Sequence, residues 1–188
     1  MQQRAGNLQL LLTPEPVDLA GVTLLPCPLL RQRTSQSPSL WLDQLNWTQL
    51  DPVKPRVVLA HGSVQGFGGE GQVNQLCLES LPRDQIDYIA LGDWHALMEV
   101  DRRTWYSGTP ETDRFPTGPD DLRSQVLVID VERAQMPSVM VKPTGRLHWH
   151  RITMTLNGDA DLPRLEQQLV ESVGSRVGRD LMRLELNG

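Results

Sequence analysis

Residues 57–62 read Val57-Val58-Leu59-Ala60-His61-Gly62, and residues 86–95 repeat the plan as Ile86-Asp87-Tyr88-Ile89-Ala90-Leu91-Gly92-Asp93-Trp94-His95. A short, continuous apolar run marks a strand covered on both faces, as in the parallel sheets of α/β proteins. In each case the strand runs into glycine and polar side chains at its C-terminal end, where α/β sheets place functional groups. His61, Asp93 and His95 are therefore candidates to share a centre. Positions i and i+2 of an extended segment point the same way, so Asp93 and His95 can face one point. Imidazole nitrogen with carboxylate oxygen suits manganese, iron or zinc, and no thiolate stands at these positions. From the residues alone two readings remain: a metal site, or a histidine capping a strand end beside an aspartate in a turn.

Outward from these strands the chain alternates extended and helical patterns. Leu8–Thr13 and Gly21–Leu25 read as strands separated by Pro14-Glu15-Pro16, and Leu40–Leu50 fits a short surface helix. Gln72–Leu81 reads as a helix ended by Pro82, following a glycine-rich loop over Gly62–Gly71. Thr104–Tyr106 and Val126–Val131 are further strands, with Val139–Lys142 a hairpin partner for the latter. After Thr144-Gly145 the pattern becomes strand (Trp149–Leu156), helix (Leu162–Val173) and strand (Leu181–Leu186), a β-α-β unit. The fold class is α/β, with one domain over residues 1–145 and a second, small unit over residues 146–188.

Composition narrows the chemistry. A chain of 188 residues that is 39% hydrophobic can bury one ordinary core with a small appended unit. A formal charge of −5 argues against a protein that coats nucleic acid through a general cationic excess, but leaves room for a nuclease whose acidic residues surround a metal. Two cysteines, Cys27 and Cys77, outside any C-x-x-C pair, make no disulfide framework, so a reducing cytoplasm is the expected compartment. The opening apolar stretch is too short for a membrane span and has no small-residue cleavage site, so neither membrane insertion nor secretion is expected.

Three segments, VVLAHGSVQGF (57–67), DYIALGDWH (87–95) and WYSGTPETDRF (105–115), together resemble the last three sequence blocks of SbcD-type DNA-repair exonucleases of the calcineurin-like metallophosphoesterase superfamily. The resemblance covers most of residues 8–150, and GRLHWHRI (145–152) with the following β-α-β pattern is similar to the start of that family's capping domain. It implies part of a layered sandwich of β-sheets flanked by helices. It also implies hydrolysis of DNA phosphodiesters with two divalent ions, manganese, and an SbcC-like ATPase partner, DNA and a homodimer as associations. Carried over by position, His61 matches a ligand of the second ion and His95 a ligand of the first. Asp93 stands where the family has a histidine facing the second. Ser107, Gly108, Pro110 and Glu111 match a segment of structural role.

The family's earlier blocks, which bring the remaining ligands and a leaving-group histidine, have no counterpart here. The resemblance therefore implies a truncated chain with little catalysis of its own. Arg102, Arg103 and Arg114 are candidates for DNA phosphate contacts, with solvated surface arginines the plainer reading. His148-Trp149-His150 has ligand-like spacing but falls at the expected domain junction, and Gly66–Gly71 lacks the lysine and spacing of a P-loop. Two alternatives stand beside the exonuclease: a general metallophosphodiesterase acting on nucleotides or small substrates, and a non-catalytic binding or assembly module.

Overall fold

The structure, a computed structural model, describes residues 8–30, 36–64, 75–118 and 120–188. Its centre is a mixed sheet of six strands. Strands β1 (Val17–Asp18), β2 (Thr23–Cys27) and β3 (Arg56–His61) are followed by the two-residue β4 (Ser63–Val64) and β5 (Gln75–Leu76). Then come β6 (Tyr88–Gly92), β7 (Met98–Asp101) and β8 (Thr104–Tyr106). The sheet order is β1-β2-β3-β6-β8-β7, in which β2, β3, β6 and β8 run parallel and the outer pairs are antiparallel. The runs that read as strands covered on both faces are the central ones. Leu25, Val58 and Ile89 are essentially inaccessible, and Tyr106, Leu76 and Ile86 join them in one core.

Elsewhere the chain departs from its sequence pattern for identifiable reasons. Leu8–Thr13 forms no strand and leaves Leu8, Leu10 and Leu12 exposed, because Val17–Asp18 takes the edge of β2 that the leucines would need. Leu40–Leu50 is two 3-10 turns, Leu40–Gln44 and Trp47–Gln49, in place of one helix. Asn46 divides them: its side-chain oxygen accepts from the Thr48 N–H at 3.3 Å and the Thr48 hydroxyl at 2.7 Å, which begins a new turn. The turns still present Leu42 to the core, with Trp41, Leu45, Trp47 and Leu50 packed around it. Of the helix expected over residues 72–81, the described part, from Gln75, is a short strand and turn. Leu76 and Leu78 stand two apart, the spacing of extended chain, and Gln75–Leu76 pairs in parallel with Ser63–Val64. The glycine-rich loop beyond Val64 and the Ser/Gln/Arg-rich stretch over 31–35 lie outside the described residues.

Strands β9 (Gln125–Asp130) and β10 (Ser138–Pro143) form the expected hairpin, with Ile129 opposite Val139. Asp87 fixes its turn to the large sheet. That inaccessible carboxylate accepts from Arg56 N at 2.8 Å, Ala134 N at 2.7 Å and Arg133 Nη1 at 3.1 Å. A buried carboxylate without such partners would be strongly destabilising, so Asp87 orders both elements it touches.

The C-terminal unit is a β-α-β motif of β11 (Trp149–Thr155), helix α1 (Leu162–Val173) and β12 (Leu181–Asn187), its strands parallel with Ile152 opposite Leu184. Pro163 sits in the first turn of α1, where its missing N–H costs nothing, and Gly174 ends the helix at φ +51°. Ile152 and Met154 are the buried residues of this unit. The apolar stripe of α1 is only partly covered. Among the described residues, no helix is long and apolar enough to cross a membrane.

Candidate metal centre

The parallel register between β3 and β6 sets the site. His61 lies opposite Gly92, so the residues that follow each strand emerge side by side at the C-terminal edge. A β-carbon at Gly92 would fall 2.8 Å from His61 Nδ1, so the glycine is what lets the imidazole lie over the neighbouring strand. Directly after Gly92, Asp93 adopts φ +103°, a backbone state that L-residues rarely hold. This turn brings its carboxylate to His61, with Nε2 and Oδ1 3.6 Å apart. The Ser63 hydroxyl donates to the other carboxylate oxygen at 3.2 Å. Both the His61 and Asp93 side chains are about half exposed, at 57% and 47%.

Tyr106 braces the loop that carries Ser63. Its hydroxyl donates to the Gly62 carbonyl at 2.7 Å and accepts from the Val64 N–H at 3.1 Å. Burial pushes the phenol up to about 12, against the smaller opposing pull of the Val64 N–H, so it holds both bonds throughout the neutral range.

His95 is placed differently. Its Nδ1 meets Asp113 Oδ2 at 2.5 Å, and Asp113 is itself gripped by Arg123. Arg123 also donates from Nε to Asp121 at 2.6 Å. Burial pushes the Asp113 carboxyl up, but hydrogen bonds from His95 and Arg123 outweigh it and hold the group below its ordinary value. Among the described residues His95 Nε2 meets no hydrogen-bond partner, and a carboxylate on the far nitrogen is how metal-ligating histidines are commonly oriented. Gly108, at φ +70°, supports this segment from behind. A β-carbon there would come within 2.9 Å of the His95 carbonyl oxygen and the Ala96 and Leu97 backbone.

Among the sequence candidates, then, the structure unites His61 with Asp93 and sets His95 apart with Asp113. Can the first pair hold an ion? Two ligands at about 2.0–2.2 Å from a metal and separated by 3.6 Å subtend roughly 110–130°, an open but acceptable angle. An octahedral ion needs cis ligands near 90°, which asks the pair to close by about 0.6 Å, a small motion for half-exposed side chains. The donor set fits a manganese, iron or zinc ion.

Compared with known proteins, the chain matches no protein-family model and no curated relative.

The site's meaning therefore rests on its own residues. Asp113 and Arg123 were not singled out by sequence reasoning, because their relation to His95 is made through space across a loop. The only hint is that Asp113 lies within the 105–115 segment. The three arginine candidates fare unequally. Arg103 donates to the Ile86 carbonyl at 3.0 Å, and its own backbone carbonyl accepts from Ile89, so it ties strands together. Arg102 and Arg114 are exposed. Glu111 accepts from the Arg146 N–H at 2.9 Å, and the Pro110 carbonyl from the Thr144 hydroxyl at 2.5 Å, so this segment fastens the start of the C-terminal unit.

A second cluster has ligand-like geometry. Among the described residues, one group of three offers ligand atoms all within 4.8 Å of one another: His148, His150 and Asp180. The sequence flagged the histidine spacing but not Asp180. The carboxylate is already engaged, however, by Arg176 Nε at 2.9 Å and Nη2 at 2.7 Å and by His150 Nε2 at 2.9 Å. Arg176 also donates to the Arg146 carbonyl at 2.7 Å. A guanidinium occupying the carboxylate makes this a latch between the entrances of β11 and β12.

Proposed function

We propose that this chain belongs to a metal-dependent phosphodiesterase that processes DNA ends in the manner of SbcD-type exonucleases, with manganese as its ion and an SbcC-like ATPase as its partner. The observation that carries the metal reading is the meeting of His61 and Asp93, delivered from neighbouring parallel strands with ligand atoms 3.6 Å apart. Support for DNA as the substrate comes from the three resembling segments alone. In this reading the six-stranded sheet is part of a calcineurin-like sandwich and residues 146–188 begin a capping domain.

His61 and Asp93 would hold one ion, and His95 would contribute to a second. Bound there, manganese supplies positive charge that polarises a phosphoryl oxygen and stabilises the transition state. Ser63 fixes the rotamer of Asp93, Asp113 fixes the ring of His95, and Tyr106 keeps the Gly62–Val64 backbone in place. Each is a positioning role that limits reorganisation when charge develops.

The test is calorimetric titration of manganese into the chain and into His61→Ala, Asp93→Ala and His95→Ala. Saturable binding abolished by His61→Ala and by Asp93→Ala supports the reading. Absence of binding, or binding indifferent to both substitutions, refutes it.

A further inference from the structure

In the C-terminal unit, strand β12 has one edge without a neighbour: among the described residues it pairs with β11 alone. Leu181 N donates to the His148 carbonyl at 2.9 Å, and the Asn187 carbonyl accepts from Leu156 N at 2.7 Å, so Leu181 and Asn187 turn their backbone groups toward β11. These directions alternate along a strand. Arg183 and Glu185 therefore also bond toward β11, while Met182, Leu184 and Leu186 direct N–H and C=O outward. The parallel register sets Leu184 and Leu186 beside Ile152 and Met154 on one face. Ile152 and Met154 are buried, yet Leu184 and Leu186 are 42% and 48% exposed, so the apolar face is left uncovered toward the open edge.

We propose that β12 pairs with β12 of a second copy of this chain, antiparallel about a two-fold axis through Leu184. The strand is self-complementary about that point. Leu184 meets its own counterpart, Met182 meets Leu186, and Arg183 meets Glu185, each relation repeated by the symmetry. The residues that direct backbone groups outward, Met182, Leu184 and Leu186, are the ones this register needs to exchange hydrogen bonds across the axis. The two small sheets then join into one with all their apolar residues on a single face.

The charges select this register. Arg183 and Glu185 fall at the non-hydrogen-bonded positions, where facing side chains come closest and opposite charges attract. An axis through Arg183 or Glu185, or parallel pairing in register, would set like charges opposite one another, which is unfavourable. Within each chain the Glu185 carboxylate is held on the polar face by Arg151 Nη2 at 2.7 Å and Arg183 Nε at 2.9 Å, so the charged groups are in place before a partner arrives. Open strand edges are commonly blunted by charge; here the charges oppose other pairings and favour this one. Nothing in the pairing requires a bound metal.

The experiment is sedimentation velocity of the chain over a range of concentrations, with a metal chelator present to exclude association bridged by ions. A monomer–dimer equilibrium is expected. Glu185→Arg and Arg183→Glu each set like charges opposite one another at both symmetric pairs, and each should weaken dimerisation about tenfold or more. Mixed together, the two variants again oppose unlike charges at both pairs, and a dimer of one copy of each should form. Leu184→Lys leaves the contact of Arg151 with Glu185 intact, sets like charges on the axis and should also weaken the dimer, which keeps the test decisive if a charge reversal disturbs the fold. A monomer at every concentration, dimerisation unchanged in Leu184→Lys or in both charge reversals, or no mixed dimer from variants with native circular dichroism would overturn the proposal.

Discussion

Replacing Asp93 by glycine and, separately, by alanine separates backbone strain from side-chain chemistry at the candidate centre. Asp93 sits at φ +103°, and a non-glycine residue in a sparsely populated region costs about 1–3 kcal/mol. Glycine removes that cost but adds unfolded-state freedom worth about 0.5–1 kcal/mol. Both substitutions lose the Ser63 hydrogen bond at 3.2 Å, which at this exposed position is worth about 0.5 kcal/mol. Alanine keeps the strain and loses the bond. Asp93→Gly should therefore be more stable than Asp93→Ala by about 1 kcal/mol, or about 2–4 °C in melting temperature for a chain of this size. Urea denaturation followed by circular dichroism reads the difference as a displaced midpoint at unchanged slope. Glycine no more stable than alanine would refute the strain argument. The reverse order would mean that the residue is held comfortably and is not retained for the reach of its carboxylate.

Two further outcomes follow from the packing around the site. Gly108→Ala places a β-carbon within 2.9 Å of backbone atoms of His95, Ala96 and Leu97 at φ +70°, and should cost about 2–4 kcal/mol in urea denaturation. At the C-terminal latch, hydrogen bonds from Arg176 first, then from His150 and the His148 N–H, hold the Asp180 carboxyl well below the usual carboxylate range. A depressed carboxyl contributes stability that is present above its unfolded value, about 3.9, and is lost as pH falls toward the folded value. Thermal melts below about pH 4 should therefore decline more steeply for the native chain than for Asp180→Asn.

Much of the frame could be read before the structure because its strands are dense in apolar residues. Val57–Ala60, Ile86–Leu91 and the 149–186 β-α-β pattern each became the expected element. The failures cluster where a side chain or a neighbouring strand overrides local spacing. Asn46 splits a helical pattern, β1 takes the edge needed by Leu8–Leu12, and β7 is recognisable only by its antiparallel pairing with β8. At the centre, the alternation rule put Asp93 and His95 on one side of an extended chain. The positive φ at Asp93 breaks that extension, turns the carboxylate to His61 and leaves His95 to Asp113. Strand-end position was legible in the sequence; backbone handedness and partners across a loop were not.

The most direct test of the account is diffraction from crystals of the chain grown with manganese and measured near the manganese absorption edge. An anomalous peak bonded to His61 Nε2 and the Asp93 carboxylate is the expected result. A peak at His148, His150 and Asp180, or no ordered manganese at saturating concentration, would contradict it.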